Sequence, residues 1–289
     1  MTQRESRGEG PDRPVLTRRE RQRLATFDEI VEIGRSMLRD GREVTLRALA
    51  TEMGLTPPAL YRYVKNPAAL NELLSDAIFA DVVREMVEAG EVYGDEDPAA
   101  QIVAAATAFR DWALDNKSEF QLVFVTNSLS GERTIRADAE SATHPLSRGV
   151  SGTGNTHGVE LFADHFGGAL ARLSKQRPFP VPAPEDLDPD FIAVHSHASG
   201  AQSELASLLG KNALGMVWLF EFAWAQLFAI VTLEVYGHIR PQLIKSGVLF
   251  RAQMREIGSR VGMADDWDRL IGVSQAVAER RARQRAGIE

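Results

Sequence analysis

The sequence predicts an all-α protein with a small N-terminal three-helix domain followed by a larger helical domain. Apolar residues recur at helical spacing along most of the chain, and no stretch alternates as a half-buried strand does. Capping residues and glycines divide the N-terminal part into short helices. We expect a flexible arm at 1–17, a first domain at 18–66, a second at 67–265 and a helical tail at 266–289.

The first helix begins at a capping box, in which Thr17 and Glu20 satisfy each other's backbone groups, and it ends at Gly41. Two later segments, 127–158 and 176–190, are rich in turn residues and are expected to form loops. Further helices are expected at about 67–89, 98–115, 118–128, 156–175, 200–208, 211–237, 242–261 and 266–285.

Residues 44–65 have the features of a helix-turn-helix. Thr45 caps a first short helix, Gly54 supplies the tight turn, and Thr56 caps a second helix that we expect to run to about Val64. Apolar residues of the second helix can pack against the first, which leaves an outward face that fits the major groove of DNA. The residues on this face are Thr56, Pro57, Ala59, Tyr61, Arg62 and Tyr63.

Charge is distributed unevenly along the chain. Residues 1–66 contain 13 Lys or Arg and 10 Asp or Glu, whereas residues 67–289 contain 20 and 30. This asymmetry is typical of a nucleic-acid-binding head on an acidic body. The chain has no cysteine, which excludes disulfides and cysteine-ligated metals. The first 25 residues lack the apolar core of a signal peptide, so we expect a cytoplasmic protein.

The helix-turn-helix segment resembles the TetR family of bacterial transcriptional regulators. The resemblance is carried by residues 45–50, 53–55, 58–61 and 64–66, and it is specific over about residues 20–80. It implies an N-terminal DNA-binding domain, a helical regulatory domain, and a homodimer formed by two C-terminal helices of each subunit. It also implies a repressor that binds double-stranded operator DNA and is released by a small-molecule effector.

The resemblance assigns roles to individual residues. It implies contacts with bases or the adjacent backbone for Arg47, Pro57, Ala59, Tyr61 and Arg62, and with phosphates for Thr45, Thr56, Tyr63 and Lys65. The family usually has a phosphate-binding lysine where this chain has Pro67, and we expect Lys65 to take over that contact. The arginines before and within the first helix either reach the duplex or are solvated.

Residues 213–237 form the most apolar stretch, which is long enough to cross a bilayer. Glu221 and Glu234 interrupt it, and a carboxylate at the bilayer centre costs roughly 2.5–3.5 kcal/mol. We therefore expect a buried bundle helix and no membrane partner. Glu221 must pair, become protonated or meet a polar ligand group, and the expected partner is an arginine such as Arg240 or Arg251.

Aromatic side chains of the central helices suit a pocket for an apolar or aromatic small molecule. Each of them also fits plain core packing, and that alternative stays open. The candidate ligand contacts are Phe109, Trp112, Phe120, Phe124, Phe162, Phe166, Trp218, Glu221 and Phe222.

A helical enzyme with an acid and a histidine in the central domain is the alternative function. Asp164 and His165 are adjacent and therefore point about 100° apart on a helix, so they form no dyad by sequence alone. No nucleophile elbow, P-loop or dinucleotide motif is found. His195 and His197 lack the spacing of a helical metal pair. We predict that the chain is not an enzyme and needs neither cofactor nor metal.

Overall fold

The computed structural model describes residues 17–126, 156–196 and 213–287. Within these ranges the chain is built of helices and contains no β-strand, which confirms the predicted all-α class. The helix expected at 200–208 lies outside the described residues, as do residues 1–16 of the arm and residues 127–155 of the first loop.

The chain forms two compact units, Met1–Leu70 and Asn71–Glu289. Short 3₁₀ segments lie at Pro184–Asp186 and Ala264–Asp266, and a π-helix lies at Gln121–Thr126. The helices are α1 (Arg18–Arg39), α2 (Leu46–Glu52), α3 (Pro57–Leu60), α4 (Pro67–Glu91), α5 (Pro98–Asp115), α6 (Lys117–Phe120), α7 (Thr156–Gln176), α8 (Pro189–Ser196), α9 (Ala213–Val235), α10 (Pro241–Ser246), α11 (Val248–Arg260) and α12 (Trp267–Arg285).

The core of the first unit is made by the inward faces of α1, α2 and α3. Ile30, Leu49 and Leu60 are fully buried there. The predicted capping box is present, since the Thr17 side chain accepts from the backbone of Glu20 and the Glu20 side chain accepts from the backbone of Thr17. These local bonds fix where α1 begins, and the shared apolar core fixes how the short helices pack.

In the second unit, α5 is buried along most of its length and packs against α7, α9 and α12. The Thr107 hydroxyl of α5 lies 3.1 Å from the Ser274 hydroxyl of α12, so a polar contact joins the two helices inside the core. Phe109, Phe120 and Phe124 form an aromatic cluster beside it, with ring centroids 5.2–6.3 Å apart. These contacts make α5 the central helix of the unit.

A buried ion pair joins α5, α9 and α10. The Arg110 guanidinium donates to Glu234 through Nε at 2.5 Å and through Nη2 at 3.2 Å, and Nη2 also donates to the Ile244 carbonyl at 2.6 Å. Burial raises the pKa of Glu234, and the hydrogen bond from Arg110 opposes that shift. Removing one partner of such a pair typically costs about 3–5 kcal/mol, because the other charge stays buried.

Three elements of the second unit differ from the sequence-based expectation. The single helix expected at 242–261 is broken at Gly247, whose φ of +64° ends α10 before α11 begins. The helix expected at 118–128 is a π-helix over Gln121–Thr126. The sequence did not predict this difference, because apolar spacing does not distinguish the two helix types. The proline-rich segment 176–190 ends in α8, which starts at Pro189, a favourable first helical residue.

An acidic anchor holds the start of α12. Hydrogen bonds from Arg269 and Arg177 outweigh partial burial and lower the pKa of Asp266 to about 2, from an ordinary value of 3.8. A carboxyl group with a lower pKa in the folded state than in the unfolded state stabilises the fold at pH values above its unfolded-state pKa. This stabilisation is lost as the pH falls through the folded-state pKa. The anchor therefore weakens between about pH 4 and pH 2.

We expect Asp266→Asn to lower the free energy of unfolding at pH 7 by about 1 kcal/mol, after allowance for solvent screening. The variant should also show a flatter dependence of stability on pH between about 4 and 2. Urea denaturation at several pH values measures both effects. Asp268→Asn, which changes an exposed carboxyl on the same helix, is the control. Parallel pH curves for Asp266→Asn and the unmodified chain would contradict the assignment.

Candidate functional site

The structure presents most of the predicted DNA-contacting side chains to solvent. Tyr61 is half exposed, which is high for a large aromatic residue in a compact unit. The exposed members are Arg47, Thr56, Pro57, Tyr61, Arg62 and Lys65, and the half-buried members are Thr45, Ala59 and Tyr63. Their roles in DNA binding remain predictions.

The exposure of this face follows from how α3 is anchored. Leu60 and Val64 are buried in the first unit's core, and Tyr61 and Arg62 between them are exposed. The Tyr63 ring packs edge-on against Phe27 of α1, with ring centroids 5.7 Å apart. Tyr63 thus stabilises the position of the turn after α3 as well as offering a hydroxyl.

The second helix of the motif is shorter than expected, spanning Pro57–Leu60 instead of running to Val64. The chain continues as turns, although the Val64 N–H still donates to the Leu60 carbonyl at 3.0 Å. Thr56 occupies the N-cap position, but its side chain makes no capping hydrogen bond. Pro58, at the second helical position, has no N–H for such a cap, and the Ala59 N–H at the third position donates to the Thr56 carbonyl at 2.9 Å. The Thr56 hydroxyl is therefore not used in capping and can bind a phosphate.

Thr45 differs from Thr56 in this respect. Its hydroxyl oxygen accepts from the Ala48 N–H at 3.1 Å and so caps α2, as predicted. The hydroxyl hydrogen stays available for donation. At the start of α4, the Asn66 side chain accepts from the Ala69 N–H at 2.8 Å, and Pro67 follows at the first helical position. At Pro67, where the resemblance would place a lysine, the structure thus has a well-capped helix start, with Lys65 exposed nearby.

Three cations on this surface have no carboxylate partner within the described part of the chain. These are Arg47, Arg62 and Lys65. By contrast, Arg42 of the same unit is paired with Glu52. Unpaired, exposed cations can bind phosphate oxygens without first breaking an internal ion pair.

An apolar cavity of about 90 Å³ lies in the second unit. Helices α4, α5, α7, α9 and α11 supply its walls, and its size suits a small apolar group. Of the predicted ligand contacts whose side chains the structure describes, only Phe166 lines it. The lining residues are Met86, Ile102, Ala106, Phe166, Leu170, Leu219, Phe220, Ala223, Trp224, Leu227, Met254, Ile257, Gly258, Val261 and Met263.

The other predicted ligand contacts with described side chains lie elsewhere. Phe109, Trp112, Phe120 and Phe124 are packed into the core with their rings in contact. The side chain of Phe162 is outside the described residues. Trp218 and Phe222 stack on each other, with centroids 5.1 Å apart and planes 6° apart, and Phe222 also lies under the Arg260 guanidinium.

The prediction that Glu221 pairs with an arginine is wrong. Glu221 Oε1 lies 2.9 Å from His195 Nε2, while His195 Nδ1 lies 2.8 Å from the Phe191 carbonyl. The partner comes from α8, a helix that the sequence did not predict. Arg251 instead donates to the Ser246 carbonyl at 2.9 Å.

No metal centre is visible in the part of the chain that the structure describes, since no three His, Asp or Glu side chains gather there. In the enzyme alternative, the Asp164 side chain is not described. His165 is half-buried, and burial lowers its pKa.

Sequence reasoning missed most of the cavity wall. Residues such as Met86, Ile102 and Met254 sit at ordinary core positions, and nothing in their spacing separates a wall from a filled interior. It also missed Arg110 as the partner of Glu234, for which the signal was a second carboxylate inside an apolar run.

Helix α9 is long and apolar enough to cross a membrane by length and composition alone. A single such helix is weak support for a membrane span, because a core helix of a soluble protein can be equally long and apolar. Its Glu234 is buried and paired with Arg110. A stripe at helical spacing stays exposed, formed by Phe222, Ala225, Ala229, Leu233 and, just past the helix end, Tyr236.

The chain is similar to known mycobacterial proteins. It is 25% identical over 230 residues to the HTH-type transcriptional regulators Rv1816 and MT1864 of Mycobacterium tuberculosis and Mb1846 of Mycobacterium bovis. The match covers 78% of this chain and 88% of each relative. These names describe regulators of transcription, in agreement with the prediction of a regulator rather than an enzyme.

No protein-family model matches the chain. A crystal structure of SCO4313, which is described as a regulatory protein, covers 83% of this chain and 98% of its own, at 20% identity and a TM-score of 0.44.

Proposed function

We propose that this chain is a cytoplasmic DNA-binding transcriptional regulator of the TetR type, a homodimeric repressor released from its operator by a small apolar molecule. The exposed face of α2 and α3, with its three unpaired cations, is the observation that carries the proposal. The mycobacterial relatives support the coarser part, a helix-turn-helix regulator.

In this proposal α3 enters the major groove of operator DNA. Tyr61 and Arg62 contact base edges or the adjacent backbone, and Lys65 and Thr56 contact phosphates. The buried anchors Leu60 and Val64 need no movement for this to happen. Binding therefore uses a surface that is already formed in the free protein.

We expect Arg62→Ala to weaken operator binding about tenfold to a hundredfold, because one lost base or phosphate contact costs roughly 1–3 kcal/mol. Lys65→Gln should weaken binding to all sequences alike and reduce the salt dependence by about one phosphate contact. Fluorescence anisotropy with duplex DNA from the region upstream of the gene measures both.

Arg42→Gln is the matched control, because it removes one charge from the same unit at an internally paired residue. Thermal unfolding shows whether each variant is folded. Normal affinity of a folded Arg62→Ala variant would disprove the assignment of the recognition surface.

The exposed stripe of α9 supports the dimer. Its members recur every three or four residues, and Leu233 and Tyr236 are 44% and 42% exposed. On α11, Val248 and Leu249 are also exposed. Two apolar helices per subunit can form a four-helix bundle with a second copy, which would bury the stripe. Two DNA-binding heads are then available for half-sites about 34–36 Å apart.

We expect Leu233→Glu to convert a dimer into a monomer and to abolish specific operator binding, because the charge would be buried in the interface. Analytical ultracentrifugation without detergent gives the mass. Leu24→Glu places the same charge at another exposed leucine and should leave the dimer intact. A monomeric unmodified chain would rule out this interface, and a chain that stays in solution only with detergent would favour a membrane-anchored sensor.

The apolar cavity is the proposed effector site. Met86 of α4 lines it, and α4 begins two residues after Lys65 along the chain. Suppose that α4 has two positions and that the effector binds more tightly when Met86 is in one of them. The effector then increases the population of that position of α4, to the extent of its difference in affinity. Release from DNA would follow if the favoured arrangement changes the separation of the two heads.

We expect Ala223→Leu to fill part of the cavity and to abolish stabilisation by a small apolar probe such as indole. Differential scanning fluorimetry measures the shift in Tm, and operator binding in the presence of indole tests release. Ala276→Leu, at an exposed position of α12, is the control. Equal stabilisation of both variants would place the probe outside this cavity.

A further inference from the structure

We propose that the second unit contains a binding site for an oxyanion, a carboxylate or a phosphate group, in a second cavity beside Gly247. This cavity has a volume of about 180 Å³ and is lined by residues of α5, α10, α11 and α12. It is distinct from the apolar cavity, with which it shares no lining residue. The proposal does not depend on DNA binding.

Two guanidinium groups converge where Gly247 leaves space. A Cβ atom built on Gly247 would lie 3.1 Å from Arg251 Nη1 and 3.6 Å from Arg110 Nη1. Glycine is also favoured there by its φ of +64°. The break between α10 and α11 thus brings two arginines from different helices to one point without a side chain between them.

The positive charge at this point is only partly compensated. The Nε and Nη2 groups of Arg110 donate to Glu234. Its Nη1 lies 3.4 Å from Asp111 Oδ1, which is a long contact. Arg251 donates to a backbone carbonyl and has no carboxylate partner among the described residues.

Lys245, which lines the same cavity, is exposed and likewise has no described ion-pair partner. Glu279 of α12 is the acidic residue in the cavity lining, and it is exposed. An incoming anion would therefore neutralise Arg251 and Lys245 without breaking an existing ion pair.

Neutral groups complete the lining. The Thr107 hydroxyl donates to the Val103 carbonyl at 2.8 Å and lies 3.1 Å from the Ser274 hydroxyl, so Ser274 and the Gln275 amide are the neutral donors that the lining offers to an anion. Forked guanidinium N–H groups match the paired oxygens of a carboxylate or phosphate better than they match a halide. The cavity is small, which limits the ligand to a compact anion or to the anionic end of a larger molecule.

The test is isothermal titration calorimetry of the full chain with inorganic phosphate and, separately, with succinate, at constant ionic strength set by sodium chloride. We expect saturable binding of at least one of them. Arg251→Gln should weaken it about tenfold, and Lys245→Gln should weaken it about threefold. Both side chains lie outside the buried core, so the variants should fold. Thermal unfolding checks this.

Arg255→Gln is the matched control, because Arg255 is exposed on the same helix and does not line the cavity. Binding of phosphate alone assigns a phosphate ligand, and binding of succinate alone assigns a carboxylate ligand. The proposal is overturned if neither anion binds saturably, or if Arg251→Gln and Arg255→Gln have the same affinity.

Discussion

The buried Arg110–Glu234 pair is the constraint on which the second unit depends. Removing two charges from water is costly, and their attraction compensates only when the geometry is good and further hydrogen bonds are made. Arg110 Nε and Nη2 bind Glu234 and the Ile244 carbonyl, and its guanidinium carbon lies 5.2 Å from the centre of the Phe250 ring, whereas Nη1 has only the 3.4 Å contact with Asp111. The pair thereby fixes α9 and α10 on α5, the helix that lines both cavities.

The first unit depends on a different constraint, the stability of α3. This helix has only four residues and would not form in isolation. Its stability comes from packing against α2 and from the burial of Leu60 and Val64. These two anchors, one at the end of α3 and one four residues later, leave Tyr61 and Arg62 between them exposed. The side chains proposed to bind DNA are therefore exposed by the same packing that holds the helix.

The sequence predicts well what local chemistry decides. The caps at Thr17 and Thr45 set helix starts in the structure as expected, because the capping bonds join residues three apart. It fails where tertiary contacts decide. Glu221 lies 2.9 Å from His195, which is 26 residues away along the chain. The apolar spacing of the residues that line the cavity is the same as that of residues in a filled core. Gly247 ends α10 with a positive φ, and a Cβ at this position would lie 3.1 Å from Arg251 Nη1. The apolar spacing of 242–261 continues through Gly247 and so does not reveal the break.

Helix α11, like α5, lines both cavities. Phe250 and Arg251 border the polar cavity, and Met254 and Ile257, about a turn later, border the apolar one. If an anion bound at Arg251 changes the position of α11, it changes the wall of the apolar cavity, and linkage requires the reverse effect to be equal in free energy. The exposed Leu249 places the proposed dimer surface on this helix as well. Two ligands of different chemistry would thus act on one helix that also helps to form the proposed dimer.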